Sequence, residues 1–413
     1  MKYSSDFASL VTPKADKLKP IYSWHTFKHG FSSALPRLLA EEFQLKKGSW
    51  IVDPFCGSGT TLLASKQLGF NAHGVDVLPF SVFLSNGKVA NYDIEALRRS
   101  YVSLKRRLAN LRGRDSSIRK ERDVFPMDVL IIKKAFPKAI LDELLFLKHV
   151  IAAMDDVASR NFFSIALLSI LERSSRTSKD GGFLRLVERK LDVAQIQAAF
   201  FERCETMLEH VASAPAIEVE TETQAFLGDA RSLAFLEREY DCAITSPPYP
   251  NRHDYTRIYL LELCFGFVAS DKEVKGIRYD TLRSHVEAKK RYAIEGYQHP
   301  RKLKQALRAI EEAGTNNSKV SEMLDGYFED MHRVLQEMHA RLRTGAMAAM
   351  VVSNAQFSGV PVEVDRSIES IARRVGFNPK GIKVARTRGN SPQQMGVHSR
   401  LPSRESIVIL QRA

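Results

Sequence analysis

Apolar residues change their spacing along this chain, and each change marks an element. Short runs that alternate or stay apolar between Gly, Pro, Asn or Asp read as strands. They are SWIVD (49–53), NAHGVDV (71–77), AIEVET (216–221), DCAITS (241–246), AMAAMVVSN (346–354), GIKVART (381–387) and ESIVIL (405–410). Spacings of three and four read as helices in FSSALPRLLAEEF (31–43), TTLLASKQLGF (60–70), ELLFLKHVIAAM (143–154), FFSIALLSILERSS (162–175), the stretch 321–342 and VDRSIESIARRVGF (364–377). Between residues 97 and 111, Leu97, Tyr101, Leu104, Leu108 and Leu111 share one helical face, with Arg and Lys between them. The first 20 residues carry no period and read as a loose arm.

Strand, glycine turn, helix and strand over 49–77 make a right-handed βαβ unit. The fold class expected is therefore α/β, a Rossmann-like doubly wound sheet with helical material inserted twice. The chain divides into 1–80 (N-terminal helix and first half of the core), 81–215 (a helical insertion), 216–270 (second part of the core), 271–320 (a basic helical insertion) and 321–413 (the C-terminal part of the core).

Composition narrows the class. Of the 413 residues, 44% are hydrophobic and 26% charged, ordinary for a folded chain with a sizeable core. No apolar run approaches the ~20 residues that span a bilayer, and the start lacks the apolar stretch of a secretory signal. Cys56, Cys204, Cys242 and Cys264 lie far apart and form no CxxC pair, which suits a reducing, cytoplasmic setting and argues against zinc. His25, His29, His253 and His398 form no metal pattern either, so no metal is expected. The formal charge of +13 suggests a polyanionic partner, nucleic acid first.

DPFCGSGTT (53–61) follows a strand and opens a helix. Gly57 and Gly59 let the backbone turn sharply and leave room for a ligand against it. The chain has no Gly-Lys-Ser/Thr and no third glycine of GxGxxG, so this is neither a P-loop nor a full dinucleotide fingerprint. Asp53 precedes the turn and Asp76 ends the next strand, where an acidic side chain commonly holds ribose hydroxyls. In TSPPY (245–249), two prolines without N–H donors stop a buried strand. Alone, that stretch is a turn.

Taken together, DPFCGSG and TSPPY resemble the amino-methyltransferases that use S-adenosylmethionine. GVDVLP (74–79) is similar to their second cofactor motif, LGDAR (227–231) to the third, and WHTFKHGFSSALPRLLAEEF (24–43) loosely to the helix before the first. The resemblance implies a methyltransferase sheet with an antiparallel C-terminal strand. It implies a cofactor site of Asp53, Phe55, Cys56, Gly57, Gly59, Thr60, Asp76, Asp229 and Thr245, with Asp229 toward the adenine ring. TSPPY matches the [ST]PP[FY] form that goes with DNA cytosine-N4 methylation. Adenine-N6 and RNA guanine-N2 enzymes more often carry [DN]PP[YFW]. Two departures stand out: a long helical stretch separates the second and third motifs, and the cofactor motif precedes the catalytic one.

The chemistry explains the motif. An exocyclic amine conjugated to a heteroaromatic ring is a poor nucleophile, and acceptors for its N–H groups help its nitrogen rehybridise as it attacks a sulfonium methyl. Ser246 Oγ and the Pro247 carbonyl would be those acceptors, held rigid by Pro247 and Pro248, with Tyr249 stacked on the base. Well-oriented groups can lower a barrier by ~7–11 kcal/mol. The base must leave the duplex to reach such a pocket. Cys56 lies inside the glycine turn and no Pro-Cys pair occurs, which argues against carbon-5 cytosine methylation.

Three basic stretches compete to meet nucleic acid: 96–122, 271–308 and RSSRTSKDGGFLR (173–185), read as a flexible loop. The candidates are Arg173, Arg176, Lys179, Arg252, His253, Lys289, Lys290 and Arg291, with 271–308 slightly favoured. Asp254 is a weaker candidate for positioning the base, and RTRGNSPQQMGVHSR (386–400) for a pocket rim. The leading expectation is a DNA methyltransferase acting on cytosine N4. The resemblance alone adds a restriction or defence setting with a nuclease as candidate partner. Adenine N6 in DNA, an RNA base amine, and a non-catalytic nucleic-acid-binding module on the same fold stay open.

Overall fold

A computed structural model describes residues 7–111, 121–122, 125–180, 182–188, 191–214, 220–250, 253–288, 294–314, 319–388 and 403–413. Among them, the main sheet comprises β1 (Trp50–Asp53), β2 (Asn71–Asp76), β5 (Thr223–Leu227), β6 (Tyr240–Thr245), β7 (Leu342–Ser353), β10 (Phe377–Arg388) and β11 (Ser403–Arg412). Two small hairpins stand apart from it, β3 (Thr177–Asp180) with β4 (Phe183–Leu186), and β8 (Ala355–Phe357) with β9 (Val360–Val362).

The spatial order is β10-β11-β7-β6-β1-β2-β5. β1 pairs in parallel with β2 on one side and β6 on the other, and β6 pairs in parallel with β7. β11 runs antiparallel to both its neighbours, β7 and β10. This is the doubly wound sheet expected, with its one reversed strand at the C-terminus. Order reverses at β1, so the carboxyl ends of β1 and β6 flank a crevice where such sheets bind ligands.

Successive residues of each central strand enter opposite cores, as a period of two requires. Ile51, Ile244 and Val351 pack with Leu35 and Leu39 of the helix Ala34–Glu42 and with Leu62 of the helix Thr60–Leu68. Val52, Ala243 and Val352 pack on the other face with the helices Lys319–Arg341 and Val364–Val375. A fully buried Leu or Phe in these layers stabilises the fold by about 1.5–3 kcal/mol.

A third core is almost wholly helical. Leu97, Tyr101, Leu104 and Leu108 meet Phe162 and Phe163 of the helix Val157–Ser174. Tyr259, Leu261 and Phe265, just beyond the catalytic stretch, share that core. The helical region is thus packed onto the segment that follows TSPPY. The helix Pro79–Val89 lies against the sheet at β5, its Asn86 side chain paired with the Ala225 backbone in both directions.

Three expectations need correcting. Residues 216–219 of AIEVET lie outside the described residues and 220–222 form no strand; the sheet takes Thr223–Leu227 instead, where Asn71 and Asn86 side chains bind the backbone. The loose arm is docked from residue 7 onward: Val11 is buried, and buried Asp16 accepts hydrogen bonds from Ser32 and Ser33. The stretch 173–185 is a helix end followed by the hairpin β3–β4, whose register runs from Thr177 opposite Leu186 to Asp180 opposite Phe183. No described helix is long and apolar enough to cross a membrane.

Candidate active site

One cavity collects the carboxyl ends of four strands. Asp53 to Gly57 line it after β1, Asp76 to Leu78 after β2, Gly228 to Ala230 after β5, and Ser246 to Tyr249 after β6.

The glycine turn closes by backbone necessity. Gly57 and Gly59 have φ of +51° and +78°, a region costly for any residue with a Cβ. A Cβ on Gly59 would sit 2.8 Å from Ser85 Oγ, and one on Gly57 3.2 Å from the Phe27 ring. Gly57 N–H donates to Asp76 Oδ2 at 3.0 Å, Leu78 N–H donates to Asp76 Oδ1 at 2.8 Å, and Cys56 N–H donates to the Val75 carbonyl. The Asp76 carboxylate therefore holds the turn against β2 while lining the cavity. Burial pushes its carboxyl up to about 6, against the pull of the two N–H donors. Cys56 is buried beside Gly74, and burial pushes its thiol well up, so it stays protonated.

Asp53 is the joint between the two motifs. Its Oδ2 accepts from Thr61 at 2.6 Å and its Oδ1 from Thr245 at 2.6 Å and from Phe55 N–H at 3.1 Å. Burial raises this carboxyl to about 6, with the three donors working the other way. Thr245 is fully buried and does not line the cavity, so its expected cofactor contact becomes a bracing role. Gly59 is likewise a shaping residue, placed beneath the turn against Ser85. Phe55 and Thr60 line the cavity, as does Pro54.

Beyond β6 the catalytic stretch is tethered toward the C-terminal strands. Ser246 Oγ donates to the Val351 carbonyl of β7 at 3.2 Å and lies 3.5 Å from the Tyr249 hydroxyl. That hydroxyl donates to Glu405 Oε1 of β11 at 2.9 Å, and Arg386 Nε of β10 donates to Glu405 Oε2. Pro247 and Pro248 line the cavity between these anchors. Because Ser246 spends its hydrogen on a carbonyl, its oxygen lone pairs are left to accept.

The third acidic residue, Asp229, lines the cavity while Arg231 grips its carboxylate through Nε and Nη2, at 2.8–3.1 Å. Arg231 is itself buried and held by Asp330 at 3.1 Å and the Asp280 carbonyl at 2.7 Å. Residues that sequence reasoning passed over complete the wall. Phe27 stacks on Tyr259 with ring centres 4.4 Å apart, and Val11, Thr12, Leu282 and His285 line the cavity. Their only signal in the sequence was proximity to the WHTFKHG stretch or to the basic insertion.

The nucleic-acid candidates separate. Lys179 is buried, ion-paired with buried Glu262, which also meets His25 Nε2 at 3.0 Å, and its ammonium lies over the Tyr259 ring. A buried, paired ammonium is not a phosphate contact, and Lys179 is withdrawn from that set. Arg176 is exposed, and Arg173 is exposed with Glu202 at 3.3 Å. His253 lines the cavity, its ring 5.1 Å from that of His29 and packed against Gly182 of the hairpin β3–β4. Asp254 caps the helix Tyr255–Ile258 and pairs with Arg278 at 2.6 Å, a structural duty in place of base positioning. Arg252, Lys289, Lys290, Arg291 and the span 389–400 lie outside the described residues. No cluster of side chains fit to hold a metal occurs among the described residues.

Comparison with known proteins fits this geometry. The profile of the DNA methylase family matches residues 11–83, which span the docked N-terminal segment, the glycine turn and Asp76. The Type II methyltransferase M.BsoBI of Geobacillus stearothermophilus is 31% identical over 98% of this chain and 88% of its own length. M.AvaI of Anabaena variabilis is 30% identical over 97% and 88%. M.MjaII of Methanocaldococcus jannaschii is 33% identical over 24% of this chain and 18% of its own. With full-length relatives of that kind, and a cavity built from a glycine turn and a TSPPY strand end, this chain belongs to the S-adenosylmethionine-dependent amino-methyltransferases, as a DNA methyltransferase of the Type II family.

Proposed function

We propose that the enzyme methylates the exocyclic N4 amine of cytosine in DNA, on a base turned out of the duplex. One observation carries the reading. The position that would meet the amine is Ser246, whose hydroxyl hydrogen is donated to the Val351 carbonyl. A serine oxygen so held is an acceptor for one amine N–H, and the Pro247 carbonyl can take the other. S-adenosylmethionine, when bound, supplies the electrophilic sulfonium methyl.

The residues around the cavity suit that cofactor. The crowded Gly57 turn leaves open backbone to lie against, and Asp76 retains lone pairs for ribose hydroxyls beyond its two N–H partners. Asp229, fixed by Arg231, offers a carboxylate to an adenine amine. Thr61, Thr245 and Asp53 keep this half in register with Ser246. Tyr249, held by Glu405, supplies a ring against which the base can stack. Arg176 and His253, near the cavity mouth and the hairpin, are the proposed DNA contacts, Arg173 a weaker one. A restriction nuclease of matching specificity is the proposed partner in the cell.

The test is transfer of labelled methyl from S-adenosylmethionine to unmodified mixed-sequence DNA, with RNA as a parallel acceptor and the product bases identified by mass spectrometry. N4-methylcytosine, lost in Ser246→Ala, is the expected result. Methyladenine would overturn the choice of base and keep the enzyme. Label on RNA alone would overturn the proposed acceptor.

A further inference from the structure

The acceptor side of the cavity holds a buried charge pair that the transfer chemistry above does not use. In the sheet order, Ser246 at the end of β6 has the cofactor turn at β1 on one side. On the other side come β7, β11 and β10. Glu405 lies opposite Ser353 across β7 and β11, and Arg386 lies opposite Glu405 across β11 and β10. Directly paired residues share a face of the sheet. Both side chains line the cavity, one and two strands beyond β7.

Arg386 sits where the β10–β11 register shifts, between Val384 and Arg386. Such bulges recur beside active sites because they re-aim a side chain. The Arg386 side chain is 20% exposed, and Glu405, 3% exposed, takes its Nε. Its Nη2 is buried and has no hydrogen-bond partner. A guanidinium only donates, and a buried donor left unpaired is costly. The cavity thus contains an ionic donor, braced by Glu405 on the same carboxylate that fixes Tyr249, and in need of an acceptor.

We infer that Arg386 reads the flipped base, donating from Nη2 to the ring nitrogen beside the exocyclic amine. This rests on the reading that Ser246 meets that amine. Cytosine presents an acceptor there, N3, and adenine presents N1. Thymine and guanine present a ring N–H at the corresponding place, which would face the guanidinium donor to donor. Arg386 therefore selects bases with an amine next to an acceptor nitrogen, and Glu405 is the positioning residue that orients both Arg386 and Tyr249. An enzyme that must reject wrong bases gains most from a site whose polar groups would be left unpaired by them.

The experiment begins by mapping the base that wild type methylates. DNA is then made with that base intact or with its ring nitrogen replaced by C–H, as 3-deazacytosine or 1-deazaadenine. Single-turnover methylation of both DNAs is compared for wild type, Arg386→Gln and the double variant Arg386→Gln/Glu405→Gln. The double variant leaves neither charge buried alone. Cofactor affinity by calorimetry, equal to wild type, certifies each variant as folded. The analogue should slow wild type by about 10- to 100-fold, as loss of a hydrogen bond to a charged group does. The variants should lose a like factor on natural DNA and be nearly indifferent to the analogue. Losses that multiply, or a wild type indifferent to the analogue, overturn the contact. A mapped adenine overturns the cytosine reading alone, since the 1-deazaadenine arm still tests Arg386.

Discussion

Asp53 Oδ1 accepts a hydrogen bond from Thr245 Oγ1 at 2.6 Å, across 192 positions of sequence. Its other oxygen accepts from Thr61, so one buried carboxylate ties the helix after the glycine turn to the strand that ends in Ser246. Methyl donor and acceptor must meet within a few tenths of an ångström for in-line transfer, and this carboxylate sets the spacing between their two supports.

Thr245→Val keeps the shape and removes that bond. Asp53 would lose one of three donors while staying buried, at a cost of about 1–3 kcal/mol in denaturant unfolding. The turnover rate should fall more than cofactor affinity does, because the turn itself is still held by Thr61 and Phe55. Equal losses in both would argue against a spacing role.

Two carboxyls here respond to pH in the same direction. Asp53 and Asp76, near 3.8 when unfolded, stand at about 6 in the fold because burial disfavours their charge. A raised folded value means stabilisation present below the unfolded value and lost as pH rises through about 6. Asp53→Asn should therefore flatten the stability profile between about pH 4 and 6. Cofactor affinity should run the opposite way, strengthening as Asp76 ionises above about pH 6, and Asp76→Asn should abolish that slope in calorimetry.

Gly59→Ala faces two obstacles, a φ of +78° and the Ser85 side chain 2.8 Å from the new Cβ. The variant should lose about 1–3 kcal/mol of stability. Adding Ser85→Gly should recover only the steric share, since the backbone strain remains. Full recovery in thermal unfolding would show that φ does not matter at this turn.

Lys179 and Arg176 stand three residues apart in sequence and should behave as opposites. Lys179→Met leaves Glu262 buried with only His25 and should destabilise the fold by about 3–5 kcal/mol. The Glu262 carboxyl, which burial would raise, is held well below the usual carboxylate range by Lys179 and His25. Its stabilisation is thus present above the usual value and lost as pH falls below it. Arg176→Ala should leave unfolding unchanged and lower the salt dependence of DNA binding by about one counterion. A Lys179 variant of normal stability and a reduced salt slope would restore it as a phosphate contact.

Much of this was legible in sequence because it is local. Glycines 57 and 59 report a turn with positive φ, and Pro247 and Pro248 report the end of a pairing strand, because each acts through its own backbone. Alternating and three-to-four spacings announced the strands and helices because burial on one face imposes them. The strand Thr223–Leu227 escaped because it alternates weakly and lies at the sheet edge, where few apolar contacts demand a pattern. The docked segment from residue 7 escaped because irregular backbone has no period.

Which residues face one another was settled only by the order of strands. Thr245 meets Asp53 because β6 lies beside β1, and Tyr249 meets Glu405 because β11 inserts antiparallel between β7 and β10. The same assembly turned Lys179 from a surface cation into a buried partner of Glu262 and brought Arg386 to the acceptor side of the cavity. Turn chemistry and periodicity act over a few residues, so the amino-acid string carries them whole. Charge pairing and cavity walls depend on contacts between distant segments, and those exist only once the sheet has closed its order.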